Sequence, residues 1–171
     1  MRYGHTNLTA RDWRKLADFY IAAFGCEPVP PERDLGAEWL ARATGIPGAH
    51  LRGVHLRLPG HGPNGPTLEI FTYDTTTAGA LMGPDRAGFG HIAFQVPDVH
   101  AAHAAVLALG GSAVGEIVEV EIPGAGPLTW VYVRDPEGNI LELQKWGARP
   151  SDTPVSLPIS WSAAPTASWS S

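Results

Sequence analysis

The chain has 171 residues, 44% of them hydrophobic and 17% charged, which describes a globular protein long enough to bury a substantial core. Its net charge of −5 speaks against nucleic acid and anionic membranes as partners, and no apolar run reaches membrane-spanning length. The single cysteine, Cys26, rules out an intrachain disulfide and reads as a small packed residue, so a soluble, cytoplasmic protein is expected.

In chain order, a strand over 4–9 leads to a helix with Trp13, Leu16, Ala17, Tyr20 and Phe24 on one stripe. Thr9 or Asp12 can cap its start, and Gly25 ends it. Residues 34–46 offer a short second helix between Pro30-Pro31 and the glycines at 45 and 48. Strand 52–58 then pairs with strand 67–73 across a long Gly/Pro-rich turn. A linker over 75–88 follows. The second half repeats the order: strand 90–96, a helix capped by Asp98 with Val99, Ala102, Val106 and Leu109 on its stripe, and strands 114–121, 128–134 and 140–145. The turn Asp135-Pro136-Glu137-Gly138-Asn139 precedes the last strand. The tail, 148–171, is rich in Ser, Pro and Ala and carries Trp161 and Trp169.

The halves are a repeat. Gly4-His5 through Asp12 recurs as Gly90-His91 through Asp98, 86 residues on from His5 to His91, and the helical patterns stop at Gly25 and Gly111. Each half also ends in a strand with one glutamate between leucine-like neighbours, Leu68-Glu69-Ile70 and Leu141-Glu142-Leu143. Each module is therefore expected to be βαβββ, over 2–74 and 89–146, in one domain spanning 1–147.

Strand alternation places the four repeated residues. Leu8, Leu68, Ile70, Ile92, Phe94, Leu141 and Leu143 suit the face under the helices, which leaves His5, Glu69, His91 and Glu142 on the opposite, concave face. A carboxylate there needs a partner, and a divalent metal would satisfy all four residues together. Two imidazoles and two carboxylates suit Zn, Ni, Co, Mn or Fe(II) without choosing among them. By the same alternation His55, Arg57, Phe71, Trp130, Tyr132 and Arg134 should line or rim a substrate cavity. For Arg134 a turn contact with Asp135 or Glu137, and for His55 a packed or hydrogen-bonded position in the sheet, are the competing readings. His50 and His61 read as loop residues, and His100 and His103 as helix-surface residues.

The paired modules, the His5, Glu69, His91, Glu142 set and the Asp135–Asn139 turn before Ile140-Leu141-Glu142 resemble the vicinal oxygen chelate superfamily, over residues 2–146. That group includes glyoxalase I, methylmalonyl-CoA epimerase, extradiol dioxygenases and antibiotic-binding resistance proteins. The resemblance implies an α+β fold in which two βαβββ modules curve around a metal-centred cavity with helices outside. The His, Glu, His, Glu order is similar to the ligand set of glyoxalase I, whereas the epimerases usually have glutamine at the position of Glu69. The dioxygenases use two histidines and one glutamate, and the drug-binding members typically lack the metal set. The expectation is a metal-dependent lyase or isomerase acting on a small oxygen-chelating substrate through an enediolate, with Glu69 or Glu142 as the base. An epimerase, a dioxygenase and a non-catalytic small-molecule binding protein are the alternatives. Exposed sheet edges also lead us to expect a homodimer.

Overall fold

Aspartates set the start of both long helices. Asp12 accepts from the backbone N–H groups of Arg14 and Lys15, both at 3.2 Å, and opens α1 (Trp13–Phe24). Asp98 accepts from Ala101 N–H at 3.0 Å and opens α3 (Val99–Ala108). Each cap satisfies amide groups that the first helical turn leaves without partners. α1 ends as expected, on Gly25 at φ 68, whose N–H reaches Ile21 C=O at 3.0 Å. α3 ends differently: Leu109 caps it, Gly110 takes the positive φ, and Gly111 is not in the left-handed region. Gly111 instead allows close approach, because a Cβ there would meet the Arg134 carbonyl at 2.5 Å.

The computed structural model describes residues 1–81 and 83–148, so the expectations for the tail beyond 148, including Trp161 and Trp169, lie outside the described residues. The first sheet contains β1 (His5–Thr9), β2 (Glu27–Gly36), β3 (His50–Arg57) and β4 (Thr67–Tyr73) in the order β1-β4-β3-β2. A short helix, α2 (Glu38–Thr44), lies between β2 and β3. The second sheet contains β5 (Ile92–Gln95), β6 (Ser112–Ala113), β7 (Val118–Ile122), β8 (Gly126–Arg134) and β9 (Ile140–Trp146). Its order is β5-β9-β8-β6, with β7 also paired to β8. In both sheets the first strand runs parallel to the last and the remaining pairs are antiparallel. The fold is mixed α+β, with two curved sheets that do not close into a barrel.

Two elements correct the sequence reading. The βαβββ reading calls for a strand that the sequence does not locate: it is β2, whose pattern Pro28, Pro30 and Pro31 interrupt. Its last residues, Asp34 to Gly36, fall where the sequence reading puts the short helix, which starts only at Glu38. β2 forms at the sheet edge, where a missing N–H costs no ladder bond, and its register with β3 shifts between Val29 and Arg33. The single strand expected over 114–121 is two short pieces, β6 and β7, broken where Val114 and Gly115 N–H both turn to Tyr132 C=O.

The helix-side faces of both sheets share one core. Leu8, Val54, Leu56, Leu68 and Ile70 from the first sheet and Phe94, Val131, Val133, Leu141 and Leu143 from the second join Leu16, Tyr20, Val99 and Val106 of the helices. Trp13 is only partly buried against this core, and Leu109, expected on the α3 stripe, is 40% exposed. Cys26 is packed inside, and burial pushes its thiol up to about 11. Contacts across the module boundary include two made by α1. Phe24 stacks on Phe94 with ring centroids 4.0 Å apart, and Tyr20 donates its hydroxyl to Asp135 Oδ2 at 2.9 Å.

Asp135 is the buried charged residue at the centre of that boundary, 3% exposed. Besides Tyr20 it accepts from the N–H groups of Glu137 and Asn139 and from Asn139 Nδ2, at 2.8–2.9 Å. Burial raises its carboxyl above the ordinary value, and these hydrogen bonds oppose the rise. Tyr20→Phe removes one hydrogen bond to a buried carboxylate and is expected to cost about 1.5–3 kcal/mol. Asp135→Ala strands four donors and should cost more. Urea unfolding measures both, and wild-type stability in Asp135→Ala would contradict this account.

Candidate functional site

Alternation and register put the expected site residues on the sheet faces away from α1 and α3. In the first sheet Asn7 pairs with Glu69 and Glu69 with His55 across adjacent strands. The Glu69 carboxylate is held from three sides. Its Oε1 lies 3.1 Å from His55 Nε2, and its Oε2 lies 3.5 Å from His5 Nε2 and accepts from Asn7 Nδ2 at 3.0 Å. The other ring nitrogen of His55, Nδ1, sits 2.9 Å from the Thr67 hydroxyl. Burial pushes the His55 imidazole below its ordinary value, while Glu69 pulls the other way and Arg33 and His5 add to the depression.

The second sheet repeats the arrangement with one substitution of kind. Tyr132 occupies the register position opposite Glu142 that His55 occupies opposite Glu69. His91 Nε2 lies 3.1 Å from Glu142 Oε2, with the Tyr132 ring 4.9 Å from the imidazole. Burial raises the Tyr132 phenol, reinforced by the charge of Glu142 and a hydrogen bond to it. Trp130 packs edge-on against Tyr132 at 4.9 Å. Both glutamate side chains are largely covered, at 16% and 15% exposure, whereas His5 and His91 keep 48% and 34%.

The structure therefore brings the four candidate ligands together as two pairs, His5 with Glu69 and His91 with Glu142. Among the described residues it does not place three or more His, Cys, Asp or Glu side chains together to hold an ion. Each pair suits one edge of a coordination shell. Two donors bound at about 2.1 Å with perpendicular bonds lie roughly 3 Å apart, close to the separations within both pairs.

The other expected residues divide. Arg57 is on the predicted face but engaged with Glu27 of β2 at 3.1 Å. Arg134 donates to the Gly138 carbonyl at 2.8 Å, within the turn that follows it. Phe71 shares the Glu69 face, yet it is only 6% exposed, packed with Leu40, Ala49 and Leu51 in a second small core under α2. His50 is not a loop residue: it opens β3 and bridges Asp34 at 2.7 Å and Asp74 at 2.9 Å. Asn7 and Arg33 were not expected to act at the site. Parity puts Asn7 on the His5 face but does not reveal its bond to Glu69, whereas Arg33 lies on the strand that prolines concealed. A cavity of 460 Å³ is lined by none of the four candidate ligands but by Gly90 and Ile92, which flank His91, together with Thr9, Arg11, Phe89 and Asn139 among others.

The sequence profile of the Glyoxalase/Bleomycin resistance protein/Dioxygenase superfamily matches residues 2–143, and the chain belongs to that superfamily. Among solved structures, it is similar to a glyoxalase family protein from Bacillus cereus, at 18% identity and TM-score 0.74, covering 86% of this chain and 95% of that one. A glyoxalase/bleomycin resistance/dioxygenase domain from Frankia shares 17% identity at TM-score 0.56, covering 86% and 98%. A fosfomycin resistance protein from Listeria monocytogenes, solved with Mn(II) and sulfate, shares 17% identity at TM-score 0.50, covering 86% and 92%. No curated protein matches the chain significantly. No helix among the described residues is long and apolar enough to cross a membrane.

Gly53 is the small residue on which the first pair's surroundings rest. It faces Phe71 across the β3–β4 ladder, and a Cβ there would collide with the Ile70 carbonyl and the Phe71 ring. Gly53→Ala is expected to displace Phe71 toward His55, whose ring centroid lies 6.0 Å from it, and to cost about 1–3 kcal/mol. Chemical denaturation tests this, and an unchanged unfolding midpoint would refute the close-approach argument.

Proposed function

We propose that the protein is a metal-dependent enzyme of the lyase or isomerase kind that moves a proton next to a carbonyl on a small, oxygen-chelating substrate. One observation carries the reading: two imidazole–carboxylate pairs, matched by an internal repeat, each lie on the sheet face away from the long helices α1 and α3, at separations that suit adjacent ligands of one ion. His5, Glu69, His91 and Glu142 would hold a divalent cation of the Zn, Ni, Co, Mn or Fe(II) type. Such an ion, when bound, supplies Lewis-acid stabilisation of negative charge on the substrate oxygens.

The chain's own residues supply the remaining steps. A carboxylate within reach of the carbon next to the carbonyl accepts its proton and returns it to the neighbouring carbon. Glu69 has both oxygens engaged, by His55, His5 and Asn7, which fixes its position. Glu142 has fewer partners, His91 and Tyr132, and is the carboxylate with more freedom to take and release a proton. Tyr132, its phenol kept protonated, is placed to donate a hydrogen bond. Trp130 supplies apolar surface for the body of a substrate. The aromatic pair also favours a second reading, a binding protein that encloses an aromatic compound without turnover. A purified protein that carries no metal yet binds such a compound would favour it over the enzyme.

Each of His5→Ala, Glu69→Ala, His91→Ala and Glu142→Ala should lower metal content, while His100→Ala and His103→Ala, both on α3, should not. Elemental analysis decides this, and full occupancy in two or more of the four ligand variants would remove the shared-cation assignment.

A screen of hemithioacetals, acyl-CoA esters and catechols with metal-loaded protein would identify the substrate, and deuterated water then tests the chemistry. Proton transfer through a glutamate predicts that solvent deuterium appears in product. Glu142→Gln should keep much of its metal yet lose roughly a hundredfold in turnover, and Glu69→Gln should lose less per metal bound. Product free of solvent deuterium, together with a requirement for oxygen, would replace proton transfer by oxidative ring cleavage.

A further inference from the structure

We propose that the second sheet carries a subsite for a long, uncharged hydrocarbon body, so that the substrate is amphipathic, with chelating oxygens at one end and an apolar body at the other. This rests on the shared-cation reading above and adds the chemical class of what binds there.

The repeat exposes the subsite. Counted from each glutamate along its strand, Phe71 and Tyr73 of β4 correspond to Gln144 and Trp146 of β9. Their cross-strand partners are Gly53 and Leu51 in the first sheet, and Trp130 and Leu128 in the second. In the first module this stretch is closed. α2, inserted between β2 and β3, packs Leu40 with Leu51 and Phe71, which are 2% and 6% exposed. In the second module the corresponding connection, between β7 and β8, is a tight turn in which Ala125 N–H reaches the Ile122 carbonyl at 3.0 Å. That turn has no helix to lay over the sheet, and the stretch stays open.

What stays open is apolar. Val118 and Val120 of β7 pair with Trp130 and Leu128 and so share the Glu142 face; both are 42% exposed, and Trp146 is 37% exposed. Alternation sends Glu119, Glu121 and Lys145 to the opposite face. Gln144, polar and in the middle of the stretch, is engaged by Trp146, whose Nε1 donates to it at 2.8 Å. An exposed apolar patch marks a contact surface, and this one is continuous with the candidate site. It begins at Tyr132, opposite Glu142, and runs to Trp146, about 13 Å at the rise of a strand. A molecule chelated through oxygens at the His91–Glu142 pair would lay its body along this strip. A charge on that body would be desolvated against valine and tryptophan without a partner, so the body is neutral.

Hydroxamates carry two chelating oxygens on chains of chosen length. Calorimetric titration of Mn(II)- or Zn(II)-loaded protein with aceto-, butyro-, hexano- and octanohydroxamate therefore tests the subsite. Affinity should rise along the series, by up to roughly fourfold for each methylene laid on the face. Val118→Asp and Val120→Asp, both at exposed side chains of a strand on the sheet edge, should flatten the rise. The ratio of octano- to acetohydroxamate affinity should fall by about tenfold in each. Acetohydroxamate binding with no gain from longer chains would overturn the subsite and leave the cation reading in place. A gain seen only in Trp161→Ser/Trp169→Ser protein would give the face to the chain's own C-terminal segment. Light scattering in which Val120→Asp turns a dimer into a monomer would give it to a second copy. Either result overturns the proposal. Protein that takes up neither ion ends the cation reading, and this proposal with it.

Discussion

Burial of the helix-side faces of both sheets in one shared core constrains everything else in this molecule. Strand side chains alternate, so once Leu68 and Ile70 are committed to the core, Glu69 has no choice of face. The same holds for Glu142 between Leu141 and Leu143, both wholly buried. A slip of one residue in either ladder would carry a carboxylate into the apolar interior. The register of the site is thus enforced by hydrophobic residues that never touch it.

What could be read in the sequence follows from the range of the interaction involved. Local signals were faithful: Asp12 and Asp98 cap their helices, Gly25 terminates α1, and face parity placed His5, His55, Glu69 and Glu142 correctly. Signals that depend on neighbours in space failed. Prolines hide β2 from any propensity argument, although an edge position tolerates them. Gly25 and Gly111 look like matched helix stops, yet one accepts a positive φ and the other lets a loop lie against the Arg134 carbonyl. Phe71 has the right parity for a cavity wall, but α2 covers it, and no pattern within β4 announces that. Parity also says nothing about how two modules sit relative to each other, which is why four residues on equivalent faces resolve into two pairs.

The pairs are related by repeat but are not equivalent in chemistry. An imidazole stands beside Glu69 where a phenol, held protonated, stands beside Glu142. The first carboxylate is crowded by hydrogen-bonding side chains, and the second lies next to an aromatic wall of Tyr132 and Trp130. A substrate bound across both halves would meet a polar side and an aromatic side, and so could be held in one orientation only.

The turn Asp135–Asn139 reads as a local device for reversing the chain, but its anchoring is not local. Its carboxylates reach into the other module, Asp135 to the Tyr20 hydroxyl and Glu137 to the Arg11 side chain and the backbone N–H groups of Arg11 and Asp12. A fragment ending after the first module would leave the Tyr20 hydroxyl, wholly buried in the intact chain, without its acceptor, and would expose the apolar ring of Phe24. The duplicated halves have therefore lost their independence. The protein should melt as one cooperative body, in a single transition, even though its sequence is written as two.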